Sequence, residues 1–293
     1  MTRASAVRVG LVYPELLGTY GDRGNAVVLV ERCRRRGIAA EYLEVPAGAP
    51  IPDSLDIYLF GGGEDDAQIM AANGMRASRA AIDAARAGGA VIFAVCAGFQ
   101  LLGTTYEAGD GGILDGLGLV DLSTRAGSGR LIGEAIVEPD AATGLPTLTG
   151  FENHGGRTTL GPGVAPLGRV TTGHGNGVHG NGVASVDGVL GERVLGTYLH
   201  GPVLPRTQPS PTTCSLGCSE PMRSRRSTIS SSTRSGPTAF TRPGSPAWPL
   251  AAATGTSTAG KNASPHFGAV TPPRVRGYVR SSRRRGSRRH PAR

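Results

Sequence analysis

The chain has 293 residues and a formal net charge of +9 at pH 7. That charge lies at one end, because residues 1–206 hold 16 Lys and Arg against 21 Asp and Glu, whereas residues 207–293 hold 15 against 1. About 200 residues are enough for one hydrophobic core, and no stretch approaches the roughly 18 apolar residues of a membrane span. The amino terminus runs almost directly into the apolar stretch Val7–Tyr13, which leaves no room for a signal peptide. We therefore expect a cytoplasmic protein with one folded domain over residues 1–206.

Buried strands alternate with helices over the first hundred residues. Strands are predicted near residues 7–13, 40–44, 56–60 and 90–95, and helices near residues 24–36, 65–72 and 77–87. Helices between buried strands predict an α/β fold, a three-layer sandwich with a mostly parallel central sheet. Further β-like runs are expected to complete this sheet and its edge, near residues 133–137, 149–154, 164–170 and 193–199.

The strand near residues 90–95 leads directly into Cys96, and a helix is predicted to follow. The small residues Ala97 and Gly98 allow the backbone to turn sharply and a substrate to approach. A cysteine at the start of a helix lies near the positive end of the helix dipole, which favours the thiolate over the thiol. This pattern is typical of a catalytic nucleophile. The alternative is that Cys96 is one more small buried hydrophobic residue.

A thiol nucleophile needs a base, and two histidines are candidates. His200 ends the run Val194–Leu199 and is therefore expected at the carboxyl end of a strand, where catalytic groups gather in open α/β sheets. His154 follows a shorter strand and is the second candidate. The other histidines lie in a glycine-rich segment predicted to be a flexible loop, or in the tail: His174, His179, His266 and His290.

Residues 207–293 have a different composition, rich in Ser, Thr, Pro and Arg, which predicts a disordered tail. The abrupt change after Arg206 favours a shift of reading frame. The alternatives are a genuine basic extension and a metal site at Cys214-x3-Cys218, which has no matching second pair. A basic tail on its own would also fit a binding protein for nucleic acid or anionic lipid.

Several motifs in the first 206 residues together resemble class I glutamine amidotransferases of the cobyric-acid-synthase-like branch. They are, in chain order, Gly18–Asn25, the glycine-rich turn Phe60–Asp65, the Cys96 elbow followed by Gly-x-Gln, Phe151–Thr158 and Gly196–Pro205. The first, the fourth and the end of the last resemble the glutaminase subunits of lipid II isoglutaminyl synthases. The resemblance covers about residues 7–206, and it implies the flavodoxin-like fold of class I glutamine amidotransferases.

The resemblance also implies substrates and partners. Free glutamine is the expected substrate, and a MurT-like Mur ligase subunit, which would amidate the D-glutamate of lipid II to D-isoglutamine, is the expected partner. ATP and Mg²⁺ are expected on that ligase, with no cofactor and no metal in this chain. The alternative within the family is an amidotransferase module of cobyric or cobyrinic acid synthesis.

The resemblance assigns roles to the candidate residues. The Cys96 thiolate would attack the carboxamide of glutamine, and His200 would protonate the departing ammonia and then activate water. The developing oxyanion would be held by the backbone N–H groups of Ala97 and Gly63.

Two further side chains are candidates for binding the substrate. Arg130 is expected to hold the carboxylate of glutamine, unless it is an ordinary solvated arginine. Gln100 either lines the pocket or faces the first turn of its own helix.

One position departs from the commonest class I pattern, in which Pro-Glu follows the catalytic histidine. Here Gly201 and Pro202 follow His200, so no acid is available at that place to orient the imidazole. The orienting group could be Glu152, a backbone carbonyl, a water or an acid of the partner subunit.

Overall fold

The computed structural model describes residues 6–107, 111–178 and 185–207. All of them lie in the first of the two compact units of the chain, Met1–Arg234, whereas the second, Ser235–Arg293, lies outside them. Thr207 is the one residue of the predicted disordered tail within the described ranges. Residues 208–293, with the Cys214-x3-Cys218 site, and three of the histidines fall outside the described residues, and the reading-frame shift stays a prediction. No helix within those described segments is long and apolar enough to cross a membrane.

A six-stranded sheet forms the centre of the domain. Its strands are β1 (Val7–Val12), β2 (Ala40–Val45), β3 (Ile57–Phe60), β4 (Val91–Val95), β11 (Val189–Leu190) and β12 (Val194–Thr197). Their order is β11-β12-β4-β3-β1-β2, and every neighbouring pair is parallel except β11 with β12. Strands β3 and β4 are buried at every residue, as expected for strands that are covered on both faces.

The helices are α1 (Arg23–Arg35), α2 (Asp65–Ala77), α3 (Arg79–Ala87), α4 (Ala97–Leu101) and α5 (Val203–Arg206). The chain moves one way across the sheet from β1 to β2 and the other way from β3 to β4. Right-handed crossovers therefore place α1 on one face and the pair α2 and α3 on the other, which makes three layers. The parallel strands have the doubly wound order of flavodoxin-like folds, and the predicted fold class is confirmed.

A second sheet follows the central one in sequence. Its strands are β5 (Thr105–Glu107), β6 (Ile113–Asp115), β7 (Leu122–Glu138), β8 (Leu148–Leu160), β9 (Gly168–Thr172) and β10 (Val186–Asp187). Their order is β10-β9-β7-β5-β6, with β8 paired to β7. The prediction that the runs near 133–137, 149–154 and 164–170 complete the central sheet is therefore wrong, and only the run near 193–199 joins it.

The hairpin of β7 and β8 explains this difference. The two strands are antiparallel and are joined through a short 3₁₀ turn (Ala141–Thr143), which leaves too few residues for the crossover that a parallel pair requires. Buried and partly exposed residues alternate along most of β8, as in a sheet with one solvated face. These runs therefore could not enter a sheet that is covered on both sides.

Candidate active site

Cys96 lies at a sharp elbow between β4 and α4. Its backbone has φ 51° and ψ −107°, a conformation that residues other than glycine rarely adopt. Such strain costs about 1–3 kcal/mol and persists where surrounding structure enforces it. Two bonds do so here, from the Cys96 N–H to the Thr197 carbonyl (2.8 Å) and from the Gly98 N–H to the Gly61 carbonyl (3.0 Å). The predicted elbow is therefore present, in the strand-turn-helix form that exposes a nucleophile in other α/β enzymes.

His200 lies just beyond the carboxyl end of β12 and is fully buried. Its backbone exchanges two hydrogen bonds with that of Phe151, at 2.8 and 3.1 Å. The imidazole packs against the ring of Tyr20, with centroids 4.7 Å apart. A Cβ placed on Gly62 would come within 2.5 Å of His200 Cε1 and 3.5 Å of Cys96 Cβ. Both predicted catalytic side chains therefore meet at the same glycine.

Asp22 is the functional residue that sequence reasoning missed. It lies in the connection between β1 and α1, is 2 % exposed, and places Oδ2 3.4 Å from His200 Nδ1. The same oxygen accepts the N–H of Gly62 at 2.8 Å. A signal was available, because adjacent parallel strands β1 and β3 bring their carboxyl ends to one crevice, and Asp22 follows β1.

The electrostatics of His200 follow from these neighbours. Burial disfavours the charged imidazolium, but the hydrogen bonding and charge of Asp22 and Cys96 outweigh it and raise the pKa of His200 to about 9. The separation of 3.4 Å is longer than a normal N–H···O bond, so Asp22 acts on the imidazole through a long hydrogen bond together with its charge. At neutral pH the histidine is therefore protonated and can donate a proton to a leaving group.

The glycine turn after β3 is attached on both sides of Gly62. The Gly62 N–H is already bound to Asp22, and its carbonyl accepts the Thr19 N–H at 3.1 Å. Gly63 follows and is partly exposed, while Ala97 is the first residue of α4, where helical N–H groups have no partner within the helix. The assignment of Gly63 and Ala97 as oxyanion donors stays a prediction.

Arg130 lies on the exposed part of β7, at the end of a chain of contacts that reaches His200. Its guanidinium donates to the side chain of Asn153 (2.8 Å) and to the carbonyl of the same residue (3.0 Å). The Asn153 amide donates in turn to the Tyr20 hydroxyl at 2.7 Å, and the Tyr20 ring packs on His200. This position suits the predicted contact with the carboxylate of glutamine, which stays a prediction.

Gln100 is buried in a chain of polar side chains that neither of the two predicted alternatives anticipated. Its carbonyl oxygen accepts from the Gln68 amide (2.9 Å), and its own amide donates to the Tyr198 hydroxyl (3.1 Å). That hydroxyl also bonds to Thr158 at 2.6 Å. Each polar atom of Gln100 has one protein partner, which fixes the side chain and leaves one N–H and one lone pair without a protein partner in these bonds. The role of Gln100 in lining the pocket stays a prediction.

The second candidate base, His154, lies in the middle of β8 rather than after it. Its ring stacks on Tyr198 with centroids 3.6 Å apart, and its Nδ1 lies 3.0 Å from the Gly156 carbonyl. Burial lowers the pKa of His154, although the hydrogen bonds to Glu152 and Gly156 oppose this. His154 therefore serves as a neutral packing group under Tyr198.

Glu152 does not orient the catalytic histidine. Its fully buried carboxylate accepts the N–H and the Nδ1 of His174, at 2.8 and 2.6 Å, and the N–H of Gly175 at 2.9 Å. His174 lies in a loop, as the sequence predicts, and these bonds attach it to β8. Asp22 occupies the place that Glu152 was expected to fill.

Comparison with known proteins agrees with this geometry. Residues 8–208 match the CobB/CobQ-like glutamine amidotransferase domain. The lipid II isoglutaminyl synthase (glutamine-hydrolyzing) subunit GatD of Staphylococcus aureus is 37 % identical over 191 residues, which cover 65 % of this chain and 75 % of that protein. GatD of Streptococcus pneumoniae is 34 % identical over 202 residues, with 68 % and 75 % covered. Cobyric acid synthase of Caulobacter sp. is 36 % identical over 173 residues, but these cover only 31 % of that protein and 54 % of this chain. With a buried cysteine and a buried histidine after the adjacent parallel strands β4 and β12 of a flavodoxin-like sheet, this chain belongs to the CobB/CobQ-like glutamine amidotransferase family.

Proposed function

We propose that this chain is the glutamine-hydrolysing subunit of a lipid II isoglutaminyl synthase. It releases ammonia from free glutamine and supplies it to a MurT-like Mur ligase subunit. That ligase amidates the D-glutamate of lipid II to D-isoglutamine during peptidoglycan synthesis. ATP and Mg²⁺ act on the ligase, and this chain needs no cofactor of its own.

The observation that carries the proposal is the joining of Cys96, His200 and Asp22 around Gly62. The His200 imidazole lies beside the Cys96 thiol in this buried site, so a group that can hold and return a proton stands next to the nucleophile. The choice of lipid II as acceptor is supported by relative length. The GatD relatives are covered over three quarters of their length, whereas the cobyric acid synthase is covered over less than a third.

The chemistry proceeds through a thioester. The Cys96 sulfur bonds to the carboxamide carbon of glutamine, and the carbonyl oxygen becomes an oxyanion held by backbone N–H groups. When that intermediate collapses, the C–N bond breaks and His200 gives its proton to the departing ammonia. The neutral His200 then takes a proton from a water that attacks the thioester. Glutamate leaves, and the thiolate and imidazolium are restored.

The test uses the full chain purified together with a MurT-like ligase. Lipid II, ATP and Mg²⁺ are supplied with either glutamine or ammonium chloride, and mass spectrometry counts the amidated product. We expect wild type to amidate lipid II from both nitrogen sources, whereas Cys96→Ser uses ammonium chloride alone, because a serine hydroxyl is far less ionised than this thiol.

Retention of glutamine-dependent amidation by the Cys96→Ser complex would contradict the proposed nucleophile. Ammonia release without amidation of lipid II would leave the glutaminase intact and overturn the acceptor. In that case the same assay is repeated with a cobyric or cobyrinic acid precursor and its ligase.

A further inference from the structure

Asp187 is a fully buried carboxyl group on β10 that glutamine hydrolysis does not use directly. One of its oxygens accepts the hydroxyl of Thr197, and the other accepts the backbone N–H of Tyr198 at 3.1 Å. These two residues stand at the end of β12, directly before the segment that carries His200. The carboxylate thus holds Thr197 and Tyr198, where the chain leaves the central sheet.

Thr197 connects this contact directly to Cys96 and to Leu199, the residue before His200. Its hydroxyl oxygen accepts the N–H of Leu199 at 3.0 Å, and its carbonyl accepts the N–H of Cys96 at 2.8 Å. Tyr198 and Leu199 lie beyond the last residue of β12, so their N–H groups are satisfied by side chains rather than by a neighbouring strand. A buried N–H without a partner is costly, so these bonds determine the course of the backbone.

We infer that Asp187 is a positioning residue of the glutaminase site, because its carboxylate fixes the backbone between Thr197 and His200 and so sets the imidazole against Cys96. The inference rests on the proposed glutamine hydrolysis and adds a residue that lies outside the reacting atoms. Its effect should appear in turnover rather than in substrate binding, since Asp187 touches neither the turn of Gly61–Gly63 nor Arg130 in the contacts above.

The charge of Asp187 gives a second signature. The pKa of Asp187 is raised to about 6. Burial is the largest cause and the charge of Glu152 on β8 adds to it, whereas the hydrogen bonds from Thr197 and Tyr198 act in the opposite direction. Glu152 is itself bound to His174 and lies 3.8 Å from His154. The other titratable residues near Asp187 are Tyr198, whose N–H it accepts, and the catalytic pair Cys96 and His200 on the adjoining segments. Below about pH 6 the carboxyl gains a proton, and it can no longer accept both hydrogen bonds as a carboxylate does.

The sign of the effect on stability separates positioning from ordinary support. A carboxyl whose folded pKa lies above its unfolded value costs stability progressively as pH rises from the unfolded pKa to the folded pKa, and the full cost is present above the folded pKa. At pH 7.5 the neutral variant Asp187→Asn should therefore melt at the same temperature as wild type or higher. The side chain of the Asp187→Asn variant can still accept the Tyr198 N–H, but the Thr197 hydroxyl loses its anionic hydrogen-bond partner.

The experiment measures ammonia release by the full chain, with its ligase, from pH 5 to pH 9. For Asp187→Asn we expect kcat to fall about tenfold or more at pH 7.5, because a displacement of about 1 Å can cost about 100-fold, while KM for glutamine changes less than twofold. We expect wild-type kcat to fall as pH drops through about 6, and this fall should be absent from the variant's profile. Thr197→Ser should retain most activity, and Thr197→Val should lose activity as Asp187→Asn does. The two Thr197 variants test the same hydrogen bond from the other side, so they still decide the inference if Asp187→Asn fails to fold.

Alkylation of Cys96 by iodoacetamide, located by mass mapping, provides a readout that does not need turnover. We expect Asp187→Asn to slow it several-fold at pH 7.5, because the imidazole no longer sits correctly against the thiol. Wild-type kcat, pH profile and alkylation rate in a folded Asp187→Asn would overturn the inference, and so would a loss of kcat that merely parallels a loss of folded protein. If wild type itself releases no ammonia, the proposed function fails, and the alkylation rates still decide the role of Asp187.

Discussion

Replacing Asp22 with Asn removes the charge beside His200 with little change of shape. The carboxamide oxygen of the introduced asparagine can still accept the Gly62 N–H, which Asp22 accepts at 2.8 Å, so the turn should persist. The pKa of His200 is raised to about 9 by Asp22 and Cys96 against the effect of burial. Relative to an ordinary histidine near 6.5, that difference corresponds to about 3 kcal/mol, shared between the two partners. Loss of the Asp22 share should lower this pKa by about one unit or more, and we expect kcat/KM for glutamine to fall about 100-fold at pH 7.

Two measurements check this prediction. The pH profile of ammonia release should lose its high-pH limb near pH 9 in Asp22→Asn, because the imidazolium now deprotonates at lower pH. The free energy of unfolding should also depend on the protonation of His200. Since the folded pKa of His200 lies above the unfolded value, its charge stabilises the fold fully below about pH 6.5, and this stabilisation is lost as pH rises through about 9. The melting temperature of wild type should therefore fall more between pH 7 and pH 9.5 than that of Asp22→Asn. Activity within twofold of wild type, together with an unmoved pH profile, would refute the role of Asp22.

The remaining predictions concern the glycine turn, the carboxylate contact and the partner. Gly62→Ala places a methyl group 2.5 Å from His200 Cε1 and should abolish most turnover, whereas Gly133→Ala, whose Cβ meets nothing within 4 Å, should not change it. Normal ammonia release by Gly62→Ala would show that the imidazole stands elsewhere during catalysis. Arg130→Lys keeps the charge but not the planar fork, so KM for glutamine should rise about tenfold with kcat nearly unchanged; an unaltered KM would remove Arg130 from the substrate site. Ammonia release should be weak for the isolated subunit and faster with the ligase and its ATP-bound substrate. The reason is that His200 Nδ1 and Asp22 are 3.4 Å apart, so the imidazole is loosely aligned in the isolated subunit. Equal rates would show that the site is already aligned.

The central sheet could be predicted from sequence because its strands are continuous apolar runs. Val91–Val95 and Ile57–Phe60 are buried at every position, which only a strand covered on both faces requires. The second sheet was harder to recognise. The long hairpin of β7 and β8 contains many glycines and polar residues, so its runs are short in sequence although the strands are long in space. Whether such runs join the first sheet depends on connection length and on pairing partners, which no local pattern specifies.

The residues of the candidate site also differ in how well the sequence predicts them. Cys96 and His200 were predicted because each directly follows a strand whose pattern is clear, and the structure brings them together. The acid was not, since Asp22 lies in an irregular connection. Its motif Gly18–Asn25 was recognised, but only the neighbouring position of β1 and β3 indicates that Asp22 meets His200. Glu152 was the wrong candidate because its position in a conspicuous motif says nothing about which backbone groups its carboxylate meets. Gln100 shows the same limit, as its partners are 32 and 98 residues away in the chain.

The position of Asp22 also connects two parts of catalysis that are usually considered separately. A single carboxylate oxygen faces His200 and accepts the N–H of Gly62, so the base and the turn of the proposed oxyanion site share one support. The connection that carries Asp22 is attached to the same turn a second time, through the bond from Thr19 to the Gly62 carbonyl. A shift of this connection must therefore move the imidazole and the turn together. A partner subunit that contacts residues 18–22 could tighten both at once, whereas one that supplied an acid to His200 alone would leave the turn unchanged.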